Sequence, residues 1–383
     1  MINVYRTSAI SALALALVCS PLAHAAKPVG AGGGKPGGGD TAPPPNPDIV
    51  YLSASNQSIN AAEIRGTTLT FATNGSLSSS DSSLLKSTRG RGTSAIAWSP
   101  DGKRFAWIEN GSIMTATPGG RSAILYPTRA SDPRPLANSD ALAWGRDCSG
   151  TGDSAIAFLS ELPSYSIEVL TVQAGAVMQR ETLVPLPTHC NQDQTQCTMS
   201  GANAFAFSPL GQYLAFYGFA DTLAPGVWAA SLCVAGHDPT MILDRSNLGS
   251  TDSLSPVTSM DWSASGGRLA LSVTTGPDPD YPWRDVKIAD IAYSVNQGSE
   301  SIGAGTVLLA NPGAVFGTAS SELSPAWDPT AAGDSCQRLA FSQSSDAGRQ
   351  MYVTDLAHGT SCNAALRPIG AKNPRALDWR VKQ

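Results

Sequence analysis

One aromatic-centred motif recurs along the chain, and it limits the possible folds more than any other feature. Residues 97–107 read AWSPDGKRFAW, residues 206–216 read AFSPLGQYLAF, and residues 261–271 read DWSASGGRLAL. Two further copies carry five extra residues in the middle: AWGRDCSGTGDSAIAF at 143–158 and AWDPTAAGDSCQRLAF at 326–341. A sixth, cut short at Asp378-Trp379-Arg380, ends the sequence. The aromatic anchors are therefore Trp98, Trp144, Phe207, Trp262, Trp327 and Trp379, spaced 46 to 65 residues apart.

Each copy carries the same physics. A short strand bears a large aromatic, a turn of Pro, Asp and Gly reverses the chain, and an apolar strand follows. A third strand comes next, at 112–117 (SIMTAT), 167–172 (IEVLTV), 227–232 (VWAASL), 286–291 (VKIADI) and 350–356 (QMYVTDL). A fourth leads to the next anchor. Four antiparallel strands per unit, repeated radially at this spacing, predict an all-β fold, a six-bladed β-propeller, which leaves few open edges. A β-sandwich gives no reason for one motif to recur six times. Ring closure is legible too. The last copy stops after its first strand at 376–381, whereas the N-terminal region starts at a second strand, 49–54 (IVYLSA), and continues into NQSINAA at 56–62. The C-terminal strand is predicted to pair with these N-terminal strands and complete one composite blade.

The stretch SPDGKRFAW at 99–107 resembles the TolB-type, WD-like propeller repeat. The resemblance covers nearly all of 48–383, strongly in copies one, three and five and weakly in copy two. It departs from the family's namesake in one respect: the α/β domain that precedes the propeller there is replaced here by a Gly/Pro-rich segment. A Tol–Pal role is therefore not implied.

That segment, KPVGAGGGKPGGGDTAPPPNP at 27–47, has too little apolar bulk to offset the entropy of ordering and reads as a flexible tether over 26–47. Before it, Arg6 and the apolar run AISALALALVC at 9–19 lead to Ala23-His24-Ala25. This is the pattern of a signal peptide spanning 1–25, which implies a periplasmic or secreted protein. Val18 before Cys19 departs from the small residue that lipidation requires. No later stretch reaches the roughly 20 apolar residues of a membrane helix.

The chain carries 25 Lys and Arg against 30 Asp and Glu. Loss of Arg6 with the signal leaves 24 − 30 = −6. That balance argues against nucleic acid and against an anionic membrane surface as partners.

Cys148, Cys190, Cys197, Cys233, Cys336 and Cys362 remain after signal removal, an even count that suggests disulfides in an exported chain. Propeller geometry favours Cys190–Cys197 and Cys336–Cys362, with Cys148–Cys233 across neighbouring units. Neither a CxxC nor a His cluster points to zinc, and His189, His237 and His358 fall in loops of different units. No G-x-S-x-G elbow and no phosphate-binding loop is present, so no catalytic residue, metal or cofactor is expected. The anchors read as packing between blades rather than as a stacking platform.

The candidate ligand residues lie in loops that break the repeat. Residues 277–285, PDPDYPWRD, bring Asp278, Asp280, Tyr281, Trp283, Arg284 and Asp285 into one proline-stiffened segment, the composition of a binding hot spot. Matching loops at 161–165, 219–225 and 344–349 add Glu161, Tyr165, Asp221, Asp346 and Arg349. The reading is a non-enzymatic binding or scaffold protein of the cell envelope that recognises a protein or peptide through one propeller face. The alternative is a hydrolase or lyase acting on a glycan or lactone at the central axis.

Overall fold

The computed structural model describes residues 47–383 except 56–57, 73–75, 87–93, 138, 140, 149–152, 162–165, 186–187, 191–196, 200, 221–222, 235–237, 250–256, 276–283, 309–320, 331–335, 346–347, 358–365, 372 and 381–383. The expected signal peptide and the tether up to residue 46 thus lie outside the described residues, as do Cys362, Asp278, Asp280, Tyr281, Trp283, Tyr165, Asp221, Asp346, His237 and His358.

The chain begins with strands β1 (Ile49–Ser55), β2 (Ser58–Phe71) and β3 (Leu77–Lys86). Blade one follows as β4 (Ser94–Trp98), β5 (Phe105–Glu109), β6 (Ser112–Ala116) and β7 (Ala123–Tyr126), and blade two as β8 (Leu142–Arg146), β9 (Ser154–Leu159), β10 (Ser166–Gln173) and β11 (Ala176–Pro185). A small hairpin, β12 (Thr188–Cys190) and β13 (Cys197–Met199), leads to blade three: β14 (Gly201–Phe207), β15 (Tyr213–Ala220), β16 (Leu223–Ser231) and β17 (Thr240–Asp244), with one helical turn, α1 (Arg245–Leu248). Blade four is β18 (Val257–Trp262), β19 (Arg268–Thr274), β20 (Arg284–Asn296) and β21 (Ser299–Leu308). Blade five is β22 (Ser321–Trp327), β23 (Cys336–Ser345), β24 (Gly348–Ala357) and β25 (Arg367–Ile369). The last strand, β26 (Pro374–Trp379), joins the first three in the order β26-β1-β2-β3, so blade six is built from both chain ends. Ile49 pairs with Trp379 and Val50 with Asp378. Arg380 N donates to Asp48 O at 2.7 Å, carrying the closure one residue further. The six-bladed, four-stranded ring is as the repeat predicts.

The core is divided among the blade boundaries. Each aromatic anchor is on an innermost strand and packs against the preceding blade. Trp98 joins Val50, Leu52 and Ile64 of blade six to Phe105 and Trp107 of blade one. Trp327 sits among Val286 and Ile288 of blade four with Leu339 and Phe341 of blade five. Trp379 does the same between blades five and six, and Trp262 between three and four. Trp144 and Phe207, partly buried, pack at the one–two and two–three boundaries. Burial of these side chains supplies the apolar area that the chain's many Ala, Ser and Gly cannot. At Gly145 a Cβ would collide with the Phe207 ring, which explains why the residue after this anchor has no side chain.

The first turns of blades one, three and four share one geometry. Ser99 N donates to Arg104 O, Ser208 N to Tyr213 O and Ser263 N to Arg268 O, at 2.8 to 2.9 Å. Gly102, Gly211 and Gly266 close them at φ of 62°, 78° and 78°, the left-handed region that favours glycine. A second recurrence is invisible in the sequence. Ala95, Ala204 and Ser324, each three residues before an anchor, have φ of 46°, 55° and 51°. They coincide with bulges between Ser94 and Ile96, Asn203 and Phe205, and Leu323 and Ala326. Left-handed backbone costs a non-glycine residue roughly 1–2 kcal/mol.

Two loops of the sequence reading are mostly strand. The β15–β16 pairing continues to Ala220↔Leu223, and the β23–β24 pairing to Ser345↔Gly348. Arg284, Asp285 and Arg349 are therefore ladder residues, paired with Thr274, Val273 and Ser344. Cys336 opens β23, opposite Ala357. Tight hairpins let pairing run towards the tips.

Candidate functional site

A cavity of about 400 Å³ lies within the innermost strands β4, β8, β14, β18, β22 and β26, so all six blades wall it. Its size is that of a small-ligand or side-chain pocket. One end is lined by Arg146 at the end of β8 and by the first-turn residues Pro100, Leu210 and Pro329; the other by the bulged Ala95, Ala204 and Ser324. Three of the seven non-glycine residues with positive φ among the described residues thus line one end of the cavity.

Two carboxylates line this cavity. They occupy the position before the anchor, where four copies have Ala97, Ala143, Ala206 and Ala326, and the fourth and sixth have Asp261 and Asp378. The residue before the anchor faces the next blade, and each carboxylate bridges to it. Asp261 Oδ2 accepts from Trp327 N of blade five at 2.6 Å, and its Oδ1 accepts from Trp262 N at 2.8 Å. Asp378 Oδ2 accepts from Trp98 N of blade one at 2.6 Å, and its Oδ1 from Trp379 N at 2.8 Å. Burial pushes Asp378 up to about 6 despite those two N–H donors. Burial and the nearby charge of Asp378 hold Asp261 well above the usual carboxylate range. The two carboxylates have surface on the cavity but are enclosed by protein, and no cation is among the groups that shift them.

Of the ligand candidates read from the sequence, Glu161, Arg284, Asp285 and Arg349 are among the described residues. Arg284 and Asp285 start β20, where Asp285 accepts from Thr275 Oγ1 at 2.7 Å. Glu161 is exposed, and its N donates to Arg134 O at 2.7 Å. Arg349 is in β24. None of these four lines the cavity. Asp261 and Asp378 were missed as site residues, although the sequence carries a signal for them: Asp-Trp stands where four copies read Ala-Trp or Ala-Phe.

Of the expected cysteine pairs, Cys336–Cys362 falls outside the described residues, because Cys362 does. Cys190 and Cys197 are cross-strand partners in the β12–β13 register. Cys148 of blade two and Cys233 of blade three meet across their boundary, as free thiols joined by a hydrogen bond. Among the described residues no group of three or more His, Cys, Asp and Glu side chains is placed to hold a metal ion. No helix of the described residues is long and apolar enough to cross a membrane.

No protein-family model and no curated protein matches the chain. Among solved structures, TolB from Acinetobacter baumannii superposes with a TM-score of 0.51 at 14% identity, over 87% of this chain and 66% of that one. The chain thus spans just under two thirds of that structure's length. XC5397 from Xanthomonas campestris, described as a gluconolactonase, aligns at a TM-score of 0.41 and 16% identity, over 77% of this chain and 91% of that one. A puromycin hydrolase mutant aligns at 0.44 and 12% identity, over 70% of this chain and 38% of that one. At such identities the likeness is one of fold: this is a TolB-like six-bladed propeller.

Proposed function

We propose that the chain is a binding module of the cell envelope whose partner, a protein or peptide, presents a basic side chain to the axial cavity, where Asp261 and Asp378 receive it. The observation that carries this reading is the pair of enclosed carboxylates without a cation among the groups that shift them. Buried negative charge is expensive until it is paired. An ammonium or guanidinium group entering from solvent relieves that cost, and the small and proline-rich walls offer apolar contact around it. Recognition at a propeller axis needs no new backbone, because the ring already holds the two acids in place through Trp98 N and Trp327 N.

The test is affinity capture from envelope extracts with the ring as bait, followed by cross-linking to map the bound segment. Cross-links to residues beside the cavity mouth, such as Lys103 of the first turn of blade one, and a Kd at least tenfold weaker for D261N/D378N, support the reading. Capture unaffected by that double substitution sinks it. The glycan or lactone reading has one observation in its favour, that paired carboxylates can serve as acid and base. Turnover of a glycan or lactone panel that is lost in D261N/D378N would replace binding with catalysis.

A further inference from the structure

The boundary between blades two and three carries a feature that ligand binding does not use. Cys148, in the turn between β8 and β9, and Cys233, just past β16, share a side-chain hydrogen bond. Cys148 Sγ also donates to Leu232 O at 3.4 Å. Leu232 N is in turn tied to Gln212 O at 2.9 Å, and the first turn of blade three lies so close to blade two that a Cβ on Gly211 would meet Arg146 O. The two sulfurs are therefore held by packed backbone on both sides. Cys148 is partly exposed and Cys233 exposed, so reagents reach them.

We propose that Cys148 and Cys233 are the site of a disulfide staple between blades two and three, installed by exchange with a small or protein disulfide. The chemistry balances without a metal. One of the two cysteines attacks the donor disulfide as its thiolate and releases one donor thiol, leaving a mixed disulfide. The other cysteine then displaces the second donor thiol, and the two cysteine protons leave with the donor's sulfurs. Overall two thiols are oxidised to one disulfide and one donor disulfide is reduced to two thiols.

Burial, the hydrogen bond and charge of Cys148, and the carboxylates Asp147 and Glu300 push the Cys233 thiol up to about 12. The thiolate is the attacking form, so the exchange should quicken as pH rises. Because the bond closes a long loop, it restricts the unfolded chain and ties together two blades whose contact is otherwise mainly Ala, Val, Leu and Phe packing.

The test compares reduced and oxidised forms of the same chain. The reduced protein is incubated with oxidised glutathione, blocked with iodoacetamide, digested and mapped by mass spectrometry. The expected result is a peptide linking Cys148 to Cys233, with a melting temperature about 5 °C above the reduced form. C148S and C233S, each melting near the reduced wild type, should lose both the linked peptide and that part of the shift. Recovery of both cysteines as alkylated or singly glutathionylated forms, or of Cys233 linked elsewhere, overturns the proposal. So does a shift that persists undiminished in C233S.

Discussion

The first turns of blades one and three have one backbone and two different sources of negative charge. In blade one, Ser99 Oγ lies 2.5 Å from Asp101 Oδ1, and Lys103 N donates to the same oxygen at 3.1 Å. The turn supplies its own acceptor. In blade three the equivalent residue is Leu210, and the acceptor comes from blade four. Glu300 of β21 takes Ser208 Oγ at 2.5 Å, Leu210 N at 2.9 Å and Gln212 N at 3.0 Å, with Tyr293 Oη at 2.7 Å. Blade four keeps the first pattern in milder form. Ser265 replaces the acid, with its hydroxyl 3.2 Å from Ser263 Oγ, and it also accepts from Gln337 Nε2 of blade five at 2.6 Å. In blade three the acceptor lost from the repeat is thus supplied by the neighbouring blade, which converts a local turn interaction into a stitch across a boundary.

That difference predicts different costs. E300A is expected to destabilise the ring by about 3 kcal/mol, because a buried carboxylate with four donors is removed and those donors are left unpaired. Chemical denaturation with a cooperative fit measures it. The axial carboxylates are a second kind of stitch, made in a cavity, and pH separates them from the first. Asp378, held near 6, lies above its unfolded range near 3.9, so the folded state binds the proton more tightly. Its contribution to stability is complete below about pH 4 and is lost as pH rises through about 6. Melting temperature should fall over that window, and D378N should flatten the fall.

The next test inverts a sign. L210D restores the acid that blade one has. In the E300A background it should recover about 1–2 kcal/mol, whereas with Glu300 present it sets two carboxylates at one turn and should destabilise. Equal effects in both backgrounds would break the comparison. The smallest effect belongs to blade one itself. D101A removes a half-exposed acceptor from an exposed turn and should cost about 0.5–1 kcal/mol.

The same contrast shows what was legible in the sequence. Ser-Pro-Asp-Gly at 99–102 declares its own turn, and recurrence of the anchors from Trp98 to Trp379 declares the ring and its closure. Both signals are local in each copy, and repetition multiplies them. Glu300 could not be assigned, because nothing in β21 records that its carboxylate serves a turn ninety residues earlier. The bulges at Ala95, Ala204 and Ser324 were hidden for another reason. Alanine and serine carry no mark of left-handed backbone, which tertiary packing imposes on them. Asp261 and Asp378 were written plainly, as departures from an alanine position. The segment at 277–285 has the composition of a hot spot, yet its last two residues, Arg284 and Asp285, are strand.

The reading of the axis rests on two enclosed carboxylates that await a cation. Carbon NMR of ¹³C-labelled aspartate, assigned with D261N and D378N, measures them directly. The account predicts that both titrate above the usual carboxylate range, Asp378 near 6, and that a captured basic peptide lowers both midpoints as it binds. Midpoints below 4 in the free protein, or midpoints unmoved by the bound peptide, would contradict it.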